Sequence, residues 1–295
     1  MIADETTNYL YLADTLPKQH PIFYEAFSKL LKECKVEFYL LPNTKDIWAV
    51  DYMPVQIDKN KFVQFVYNPI YLRNSPKWKK TISDVDAICK AIDLSPTKSD
   101  ILLDGGNLIK SKDKVIISER VFIENPNYSR KNLIKELENF LEVDKIYFIP
   151  EQPNDMTGHA DGMVRFLNNE TVIINDYKNE TTAFKTAFRK ALDDAGLETI
   201  KIPYCVDDNK YDIQANGIYI NYLQMQNILI IPIFDRKEDE EVVRKFESLF
   251  NGNQIFTINC NEIADEGGIL NCITWNIYVN ENEAKNSKKI RRSIS

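Results

Sequence analysis

The amino-acid sequence predicts an α/β fold in which one supersecondary unit is repeated five times. Five stretches carry apolar residues at helical spacing, and they recur roughly every 50 to 60 residues, close to the range expected of repeated units. Each stretch is followed by a strand-like segment, a polar loop and a further strand-like segment. Because the loops take equivalent positions in all five units, the pattern indicates internal repeats rather than an irregular alternation of helices and strands.

Length and composition set the scale of the domain. The chain has 295 residues, of which 44% are hydrophobic and 27% charged, which is typical of a globular protein with a large core. No Gly- or Ser-rich linker divides it, so we expect one domain over residues 1–280. The polar segment 281–295, rich in lysine and arginine, is expected to be a solvated tail.

Net charge and hydropathy narrow the choice of partners. The net charge of −7 argues against a nucleic acid or an anionic membrane surface as the main partner. The sequence shows neither an apolar run long enough to span a bilayer nor a signal peptide, so we expect a cytoplasmic protein with no membrane partner.

Each unit is predicted to contain one amphipathic helix followed by strands. The apolar helical positions are Phe23, Phe27, Leu30 and Leu31; Ile82, Val85, Ile88 and Ile92; Leu133, Leu137, Phe140 and Leu141; Phe184, Ala187, Phe188 and Ala191; and Val242, Val243, Phe246, Leu249 and Phe250. Four helices lead into the clear strand segments VEFYLLP, KIYFIP, ETIKIP and NQIFTIN, and the second leads into the weaker IDLSP. Beyond the loops lie MPVQI, NLI, GMVRFL, GIYINYL and GILNCITWNIYV, and KFVQFVY and VIISERVF fit between the units.

The five loops each present polar or nucleophilic side chains. In chain order they carry Asp46 and Asp51, Asp104 and Asn107, His159 and Asp161, Asn216 and Asn221, and Cys272. In a closed array of five units, equivalent loops meet near the central axis. The sequence therefore predicts that these groups converge on one site.

The chain has only two histidines and five cysteines, and these few residues indicate its chemistry. The only histidines are His20 and His159, which excludes a histidine-rich metal centre. On an extended strand, His159 and Asp161 would face the same side. Cys272 is the only cysteine in a Gly-rich, polar-flanked segment, so Cys272 and His159 form a candidate nucleophile and acid/base couple. The remaining cysteines, in helical patterns or directly after strands, are interpreted as packing residues: Cys34, Cys89, Cys205 and Cys260.

The aspartates indicate the class of substrate. Asp51 and Asp161 in one pocket would repel each other and raise the pKa of a nearby thiol above its usual ~8.5. A cationic substrate would offset that effect, and a guanidinium group donates paired hydrogen bonds to carboxylates. The pattern therefore favours a small cationic guanidinium substrate, with Cys272 attacking its central carbon.

With these motifs in place, the sequence resembles the agmatine deiminase and bacterial peptidylarginine deiminase family, within the guanidine-modifying superfamily. The resemblance runs from the first helix to Tyr278. The family pattern WxRDxxP appears as WAVDYMP, GHxDxxxRF as GHADGMVRF, GGxxHCxTQ as GGILNCITW, Glu-Gly-Gly as DGGN, and the YxNF-like strand as YINY. The resemblance implies a five-bladed, pseudo-symmetric α/β propeller of ββαβ repeats, the pentein fold.

The resemblance also implies roles for individual residues. Cys272 would be the nucleophile, His159 the acid/base, and Asp51 and Asp161 the ligands of the guanidinium group. Three further residues are expected at the substrate: Trp48, Asn107 and Asn221. No metal or organic cofactor is implied, and a homodimer is compatible with the family. Arg165 is interpreted as a structural ion-pair partner and His20 as a surface or capping residue.

Five positions depart from the family pattern. Val50 stands where the family has Arg, Met53 where it has Gly, Asp104 for Glu, Asn271 for His and Trp275 for Gln. None of them removes the four groups expected to carry the chemistry. They bear instead on the distal part of the substrate. Val50 and Met53 either reshape the pocket or only repack structure, and Trp275, like Trp48, either walls off an alkyl chain or belongs to the core.

The function that follows is hydrolysis of a guanidine to a ureido group and ammonia. Agmatine, giving N-carbamoylputrescine, is the leading substrate. A peptidylarginine deiminase or a deiminase of another guanidine is the nearest alternative. An amidinotransferase and a catalytically idle binding propeller remain as alternatives of other kinds.

Overall fold

In the computed structural model, residues 1–280 are described and form five three-stranded sheets. The expected tail at 281–295 lies outside the described residues. The sheets contain, in order, β15 (Thr274–Ile277), β1 (Tyr9–Ala13) and β2 (Phe38–Leu41); β3 (Val55–Asp58), β4 (Lys61–Val66) and β5 (Thr97–Leu102); β6 (Leu108–Lys110), β7 (Val115–Ser118) and β8 (Ile146–Ile149); β9 (Val164–Phe166), β10 (Thr171–Asn175) and β11 (Glu198–Ile202); and β12 (Leu223–Met225), β13 (Ile228–Ile233) and β14 (Gln254–Asn259).

Ten α-helices connect these strands in the described residues. They are α1 (Leu16–Gln19), α2 (Pro21–Glu33), α3 (Ala49–Tyr52), α4 (Ile70–Arg73), α5 (Val85–Ala91), α6 (Arg120–Glu124), α7 (Arg130–Leu141), α8 (Thr182–Asp194), α9 (Asp239–Leu249) and α10 (Asn261–Ala264). Short 3-10 helices cover Asp4–Thr6, Trp78–Thr81 and Gly105–Asn107. The five predicted amphipathic helices are α2, α5, α7, α8 and α9, and all five are confirmed.

Every sheet has the same topology. Its first strand pairs antiparallel with the central strand, and the third pairs parallel with the central strand after a helical crossover. The predicted ββαβ repeat is therefore confirmed. The first unit takes its first strand from the far end of the chain, with Tyr9 opposite Ile277 in the β1–β15 pair.

The hydrophobic pattern explains how each unit packs. The buried residues of α2 are Phe23, Phe27 and Leu31, which recur at helical spacing on one face. The central strand β1 is buried along its whole length, whereas the third strand β2 has only Leu41 buried. In this unit the central strand is thus buried, and the third strand lies towards the outside.

Some predicted strands have different bounds. The segment IDLSP is not a strand: α5 ends at Ala91, Asp93 adopts a left-handed φ of 58°, and β5 begins at Thr97, after Pro96. A left-handed residue ends the helix, and a proline cannot donate to a ladder, so pairing starts one residue later. VIISERVF divides between β7 and α6, and GIYINYL is mostly turn before β12.

His20 is not at the surface. It occupies a capping position between α1 and α2, but its side chain makes no cap hydrogen bond and the residue is only 4% exposed. Its Nδ1 lies 3.3 Å from Glu262, and its Nε2 lies 3.4 Å from Glu266. Glu262 on α10 is thus the hydrogen-bond partner of this buried imidazole, whereas Nε2 makes no hydrogen bond within residues 1–280. Within residues 1–280 no helix is long and apolar enough to cross a membrane.

Candidate active site

The polar loops of the units meet around a cavity of about 620 Å³. Six of the seven predicted site residues line it: Trp48, Asp51, His159, Asp161, Asn221 and Cys272. Asp51 lies on α3, whereas His159 and Asp161 precede β9, Asn221 precedes β12 and Cys272 precedes β15. Side chains from widely separated parts of the sequence are therefore brought together, as the loop positions predicted.

Asn107 is the predicted site residue that does not line the cavity. It is buried at the end of the short Gly105–Asn107 helix, where its Oδ1 accepts a hydrogen bond of 2.9 Å from the backbone N–H of Ser118. Its expected place at the substrate is thus corrected, because its side chain ties the loop to β7.

Trp48 forms one wall of the cavity against Gly268. A Cβ on residue 268 would lie 2.3 Å from Cζ3 of the Trp48 ring, so only glycine allows this approach. The backbone N–H of Trp48 donates to Oδ1 of Asp46, which lines the cavity and, like Asp51 and Asp161, is buried. Burial raises the pKa of Asp46 to about 7.

Cys272 is buried between a carboxylate and an amide. Its Sγ lies 3.4 Å from Oδ2 of Asp161 and 3.2 Å from Nδ2 of Asn221, and the residue is 8% exposed. Burial, followed by the charges of Asp161 and Asp51, raises the pKa of the Cys272 thiol well above its ordinary value. Without a bound cation, the sulfur is therefore held as a thiol that donates to Asp161.

His159 lies between two carboxylates. Its Nε2 is 3.0 Å from Oδ2 of Asp104, and its Nδ1 is 3.5 Å from Oδ1 of Asp51. Burial alone would lower the pKa of the imidazole, but Asp51 and Asp104 more than offset it and raise the pKa to about 10. His159 is therefore an imidazolium at neutral pH and can donate a proton.

Asp104 and the aromatic side chain of Tyr71 are the partners that the sequence did not assign. The sequence predicted Asp104 as one of the convergent loop residues and as the counterpart of the family Glu, but gave it no role at His159. Tyr71 lines the cavity, places its ring edge-on to His159 with centroids 6.4 Å apart, and donates to Asp104 over 3.4 Å. The position of Asp104 directly before Gly105 and Gly106 was the available signal, since that loop is equivalent to the one that carries Asp51.

Gly106 lies against three site residues, Asp51, His159 and Asp161. Its N–H donates to Oδ1 of Asp51 over 3.0 Å, and its carbonyl accepts from the N–H of Asp161 over 3.0 Å. A Cβ at this position would lie 2.5 Å from Oδ1 of Asp51 and 2.8 Å from Nδ1 of His159. Burial raises the pKa of Asp51, and the neighbouring imidazolium opposes that rise.

Asp161 lies in a turn and His159 in the irregular segment just before it, so neither residue is on an extended strand. The N–H groups of Met163 and Val164 both bond back to the carbonyl of Ala160, and β9 begins only at Val164. The alternation argument was therefore wrong about the local conformation. Both side chains nevertheless line the same cavity.

Arg165 forms the predicted structural ion pair. Its Nη2 lies 2.8 Å from Oδ2 of Asp4, its guanidinium stacks on the ring of Tyr222 at 4.6 Å, and its Nη1 donates to Oδ1 of Asn271 over 3.0 Å. The residue is 4% exposed. The hydrogen bond to Asn271 connects this ion pair to the residue that precedes Cys272.

The other departures from the family pattern lie behind the site. A separate cavity of about 40 Å³ is lined by Val50, Met53, Asn271 and Trp275. Trp275 also donates its indole N–H to the carbonyl of Pro54 over 2.9 Å, as a packed core residue does. Val50, Met53 and Trp275 thus do not line the main cavity.

The main cavity is strongly acidic. Its lining contains three basic side chains, Lys45, Lys77 and His159, against eight carboxyl side chains: Asp46, Asp51, Asp155, Asp161, Glu180, Asp212, Asp265 and Glu266. Such a lining attracts cations and repels anions. No cluster of three or more His, Cys, Asp or Glu side chains suited to a metal ion occurs in the described chain, residues 1–280.

Comparisons with known proteins agree on one family. The model of the family described as Porphyromonas-type peptidyl-arginine deiminase matches residues 3–277. A protein of Photobacterium profundum with the provisional name agmatine deiminase is 25% identical over 275 residues, which cover 80% of this chain and 76% of that protein. Two structures of the C. jejuni agmatine deiminase, one a cysteine-to-serine variant with substrate bound, match with TM-scores of 0.76 and 0.75 at 18% and 17% identity; each match covers 94% of this chain and 95% of theirs.

Proposed function

Because this chain belongs to the Porphyromonas-type peptidyl-arginine deiminase family, we propose that it is a guanidine deiminase, which hydrolyses a guanidinium group to a ureido group and ammonia. The observation that carries the proposal is the contact of Cys272 with Asp161 and Asn221, in a cavity that also contains His159 and Asp51. A thiol, an imidazole and two carboxylates are the groups that covalent hydrolysis of a guanidine requires.

Substrate binding is assigned to the two carboxylates. Asp51 and Asp161 accept hydrogen bonds from the guanidinium N–H groups and hold its central carbon next to Sγ of Cys272. The positive charge of the substrate offsets the carboxylates that otherwise keep the thiol protonated. The Cys272 proton then leaves to water, and the substrate itself generates the thiolate that attacks it.

In the first half of the reaction, the Cys272 thiolate forms a bond to the guanidinium carbon. The resulting tetrahedral adduct is neutral, because the charge of the thiolate cancels that of the guanidinium. His159, held as an imidazolium, protonates one amino group, and the C–N bond breaks to release ammonia. A cationic amidino-thioether remains on Cys272.

In the second half, water attacks the amidino carbon while the now neutral His159 takes one of its protons. The C–S bond of the new adduct breaks, and the hydroxyl proton passes to the departing sulfur, which leaves a ureido product and the thiol. His159 is again an imidazolium. Ammonia takes up the proton released at the start, so the balance is guanidinium plus water to urea derivative plus ammonium.

Agmatine is the substrate that the charge of the cavity supports best. Agmatine carries a guanidinium at one end and an ammonium at the other, which suits a lining of eight carboxyl and three basic side chains. The carboxylate of free arginine would be repelled by this lining. The product would be N-carbamoylputrescine. Arginine within a peptide is the second candidate, because the matching family model is named for that activity.

We further propose that the five sheets of residues 1–280 close into a single propeller domain. The pairing of β15 with β1 joins the two ends of the chain, as closure requires. The loops of the different units also line one cavity, which is the expected result of an axial arrangement.

The test of function is a substrate panel. The protein is incubated with agmatine, free arginine, a blocked arginyl peptide and glycine as an amidino acceptor, and ammonia, ureido product and guanidinoacetate are quantified. We expect ammonia and ureido product in equal amounts, with the highest kcat/KM for agmatine. Guanidinoacetate in place of ammonia would indicate amidino transfer, and no turnover of any guanidine by folded protein would contradict the enzyme proposal.

The nucleophile is tested in the same panel with Cys272→Ala. This variant should lose turnover and retain its thermal unfolding transition, because the side chain contacts the reacting carbon. The matched control is Cys205→Ala, a half-buried cysteine outside the cavity lining, which should remain active. Appreciable turnover by Cys272→Ala would show that the nucleophile is wrongly assigned.

A further inference from the structure

A continuous chain of hydrogen bonds runs from the N-terminal segment to the carboxylate beside the nucleophile. Asp4 binds Arg165, and Nη1 of Arg165 donates to Oδ1 of Asn271 over 3.0 Å. Nδ2 of Asn271 in turn donates to Oδ2 of Asp161 over 2.8 Å, and Asp161 contacts Sγ of Cys272. Directly bonded partners in this chain lie up to 161 positions apart in the sequence.

The orientation of the Asn271 amide, which connects Arg165 to Asp161, is fixed by its hydrogen-bond partners. A guanidinium has donors and no acceptor, so the atom of Asn271 that faces Arg165 must be its carbonyl oxygen. The NH₂ group of the same planar amide must then face Asp161. Arg165 itself is held by Asp4, by the ring of Tyr222 and by the carbonyl of Tyr222, so it cannot readily turn away.

A second amide is oriented in the same way. Oδ1 of Asn221 accepts from the backbone N–H of Asn271 over 3.0 Å, which directs its NH₂ group to Oδ2 of Asp161 at 2.9 Å and to Sγ of Cys272 at 3.2 Å. Oδ2 of Asp161 thus receives two amide donors of fixed direction. Among residues 1–280, no hydrogen bond to the other oxygen, Oδ1, occurs.

We propose that Asn271 and Arg165 are positioning residues that hold the Asp161 carboxylate with Oδ2 towards Cys272 and Oδ1 open to the guanidinium group of the substrate. This inference rests on the proposed function. It assigns a role to a position where the family pattern has His and this chain has Asn. A neutral histidine offers one ring acceptor and one ring N–H, so it can also accept from Arg165 and donate to Asp161.

The first experiment compares substitutions at residue 271. Asn271→Leu keeps the approximate size and removes both hydrogen bonds, and we expect kcat/KM for agmatine to fall about 10- to 100-fold, with an increase in KM. Asn271→His restores an acceptor and a donor and should recover most of that loss. A purely structural role would not distinguish the two variants in this way.

The matched control is Asn125→Leu. Asn125 is buried at the end of α6 and bonded to the backbone of Leu102 and Val121, and it lines neither cavity. It should lose stability but keep kcat/KM. Wild-type kcat/KM in Asn271→Leu, or an equal loss in Asn125→Leu, would overturn the proposal.

A double-mutant cycle separates this inference from the proposed function. Unfolding free energies are measured for Asn271→Leu, Asp161→Asn and the double variant. We expect them to be non-additive because both residues share one hydrogen bond, and additive values would overturn the positioning role. If the wild-type protein turned over no guanidine, the proposed function would fail while this cycle still decided the link between residues 271 and 161.

Discussion

Nε2 of His159 lies 3.0 Å from Oδ2 of Asp104, and both side chains are buried. Asp104 does not line the main cavity, so it acts on the substrate only through the imidazole. The contact fixes the orientation of the ring and, with Asp51, keeps it protonated. The general acid of the proposed reaction is therefore His159, which faces the cavity. Asp104 lies behind it and holds the imidazole in its orientation and in its protonated form.

Asp104→Asn should lower the pKa of His159 from about 10, because it removes a charge that raises it. We expect kcat to fall about 10- to 100-fold at neutral pH, with the alkaline limb of the pH–kcat profile moved to lower pH. The chain has only two histidines, so an NMR titration resolves His159 directly, with assignment by His159→Gln. Asp100→Asn, an exposed position, is the control, and an unchanged His159 titration in Asp104→Asn would refute the assignment.

Gly106→Ala should damage activity more than stability. The added Cβ would lie 2.5 Å from Oδ1 of Asp51 and 2.8 Å from Nδ1 of His159, so both groups must shift. A displacement of this size is expected to lower kcat/KM about 100-fold. Gly162→Ala is the comparison, since its nearest neighbour would be 4.0 Å away, and it should stay near the wild-type value. Equal effects of the two substitutions would contradict the crowding argument.

Asp161→Asn should make Cys272 more reactive towards iodoacetamide while it abolishes deimination. After burial, the charge of Asp161 is the largest cause of the raised thiol pKa. Removing it increases the thiolate fraction about tenfold for each unit by which the pKa falls. Alkylation at pH 8 is followed by mass spectrometry of the Cys272 peptide, with Asp212→Asn at the cavity mouth as the control. A slower reaction in Asp161→Asn would contradict this account.

The stability contributed by His159 should depend on pH. Its pKa is about 10 in the folded protein against 6.5 for an ordinary histidine, so the folded state binds the proton more tightly. The resulting stability is fully present below pH 6.5 and is lost as the pH rises through about 10. The Tm difference between wild type and His159→Gln should therefore be larger at pH 6 than at pH 10.5. A difference that grew with pH would contradict the protonated imidazole.

Much of the fold could be predicted from sequence because its signals are local. Helical spacing identified α2, α5, α7, α8 and α9, and the turns after them identified four of the strands that follow. The five-fold recurrence of these elements led to the ββαβ units, and the loops between them identified Cys272, His159, Asp51 and Asp161 as convergent. Periodicity reports such features because each of them depends on residues that are close in the chain.

Tertiary structure decided which groups touch. Asp104 meets His159 across 55 residues, and Arg165 meets Asn271 across 106, and no local pattern encodes contacts over such separations. The same applies to Asn107, which has a residue type suited to binding but bonds to Ser118 outside the cavity. Sequence determined which chemical groups the loops carry. Their hydrogen-bond partners, and hence their protonation, were decided only when folding placed distant carboxylates and amides beside them, because a hydrogen bond forms only near about 3 Å and the effect of a charge on a pKa weakens with distance.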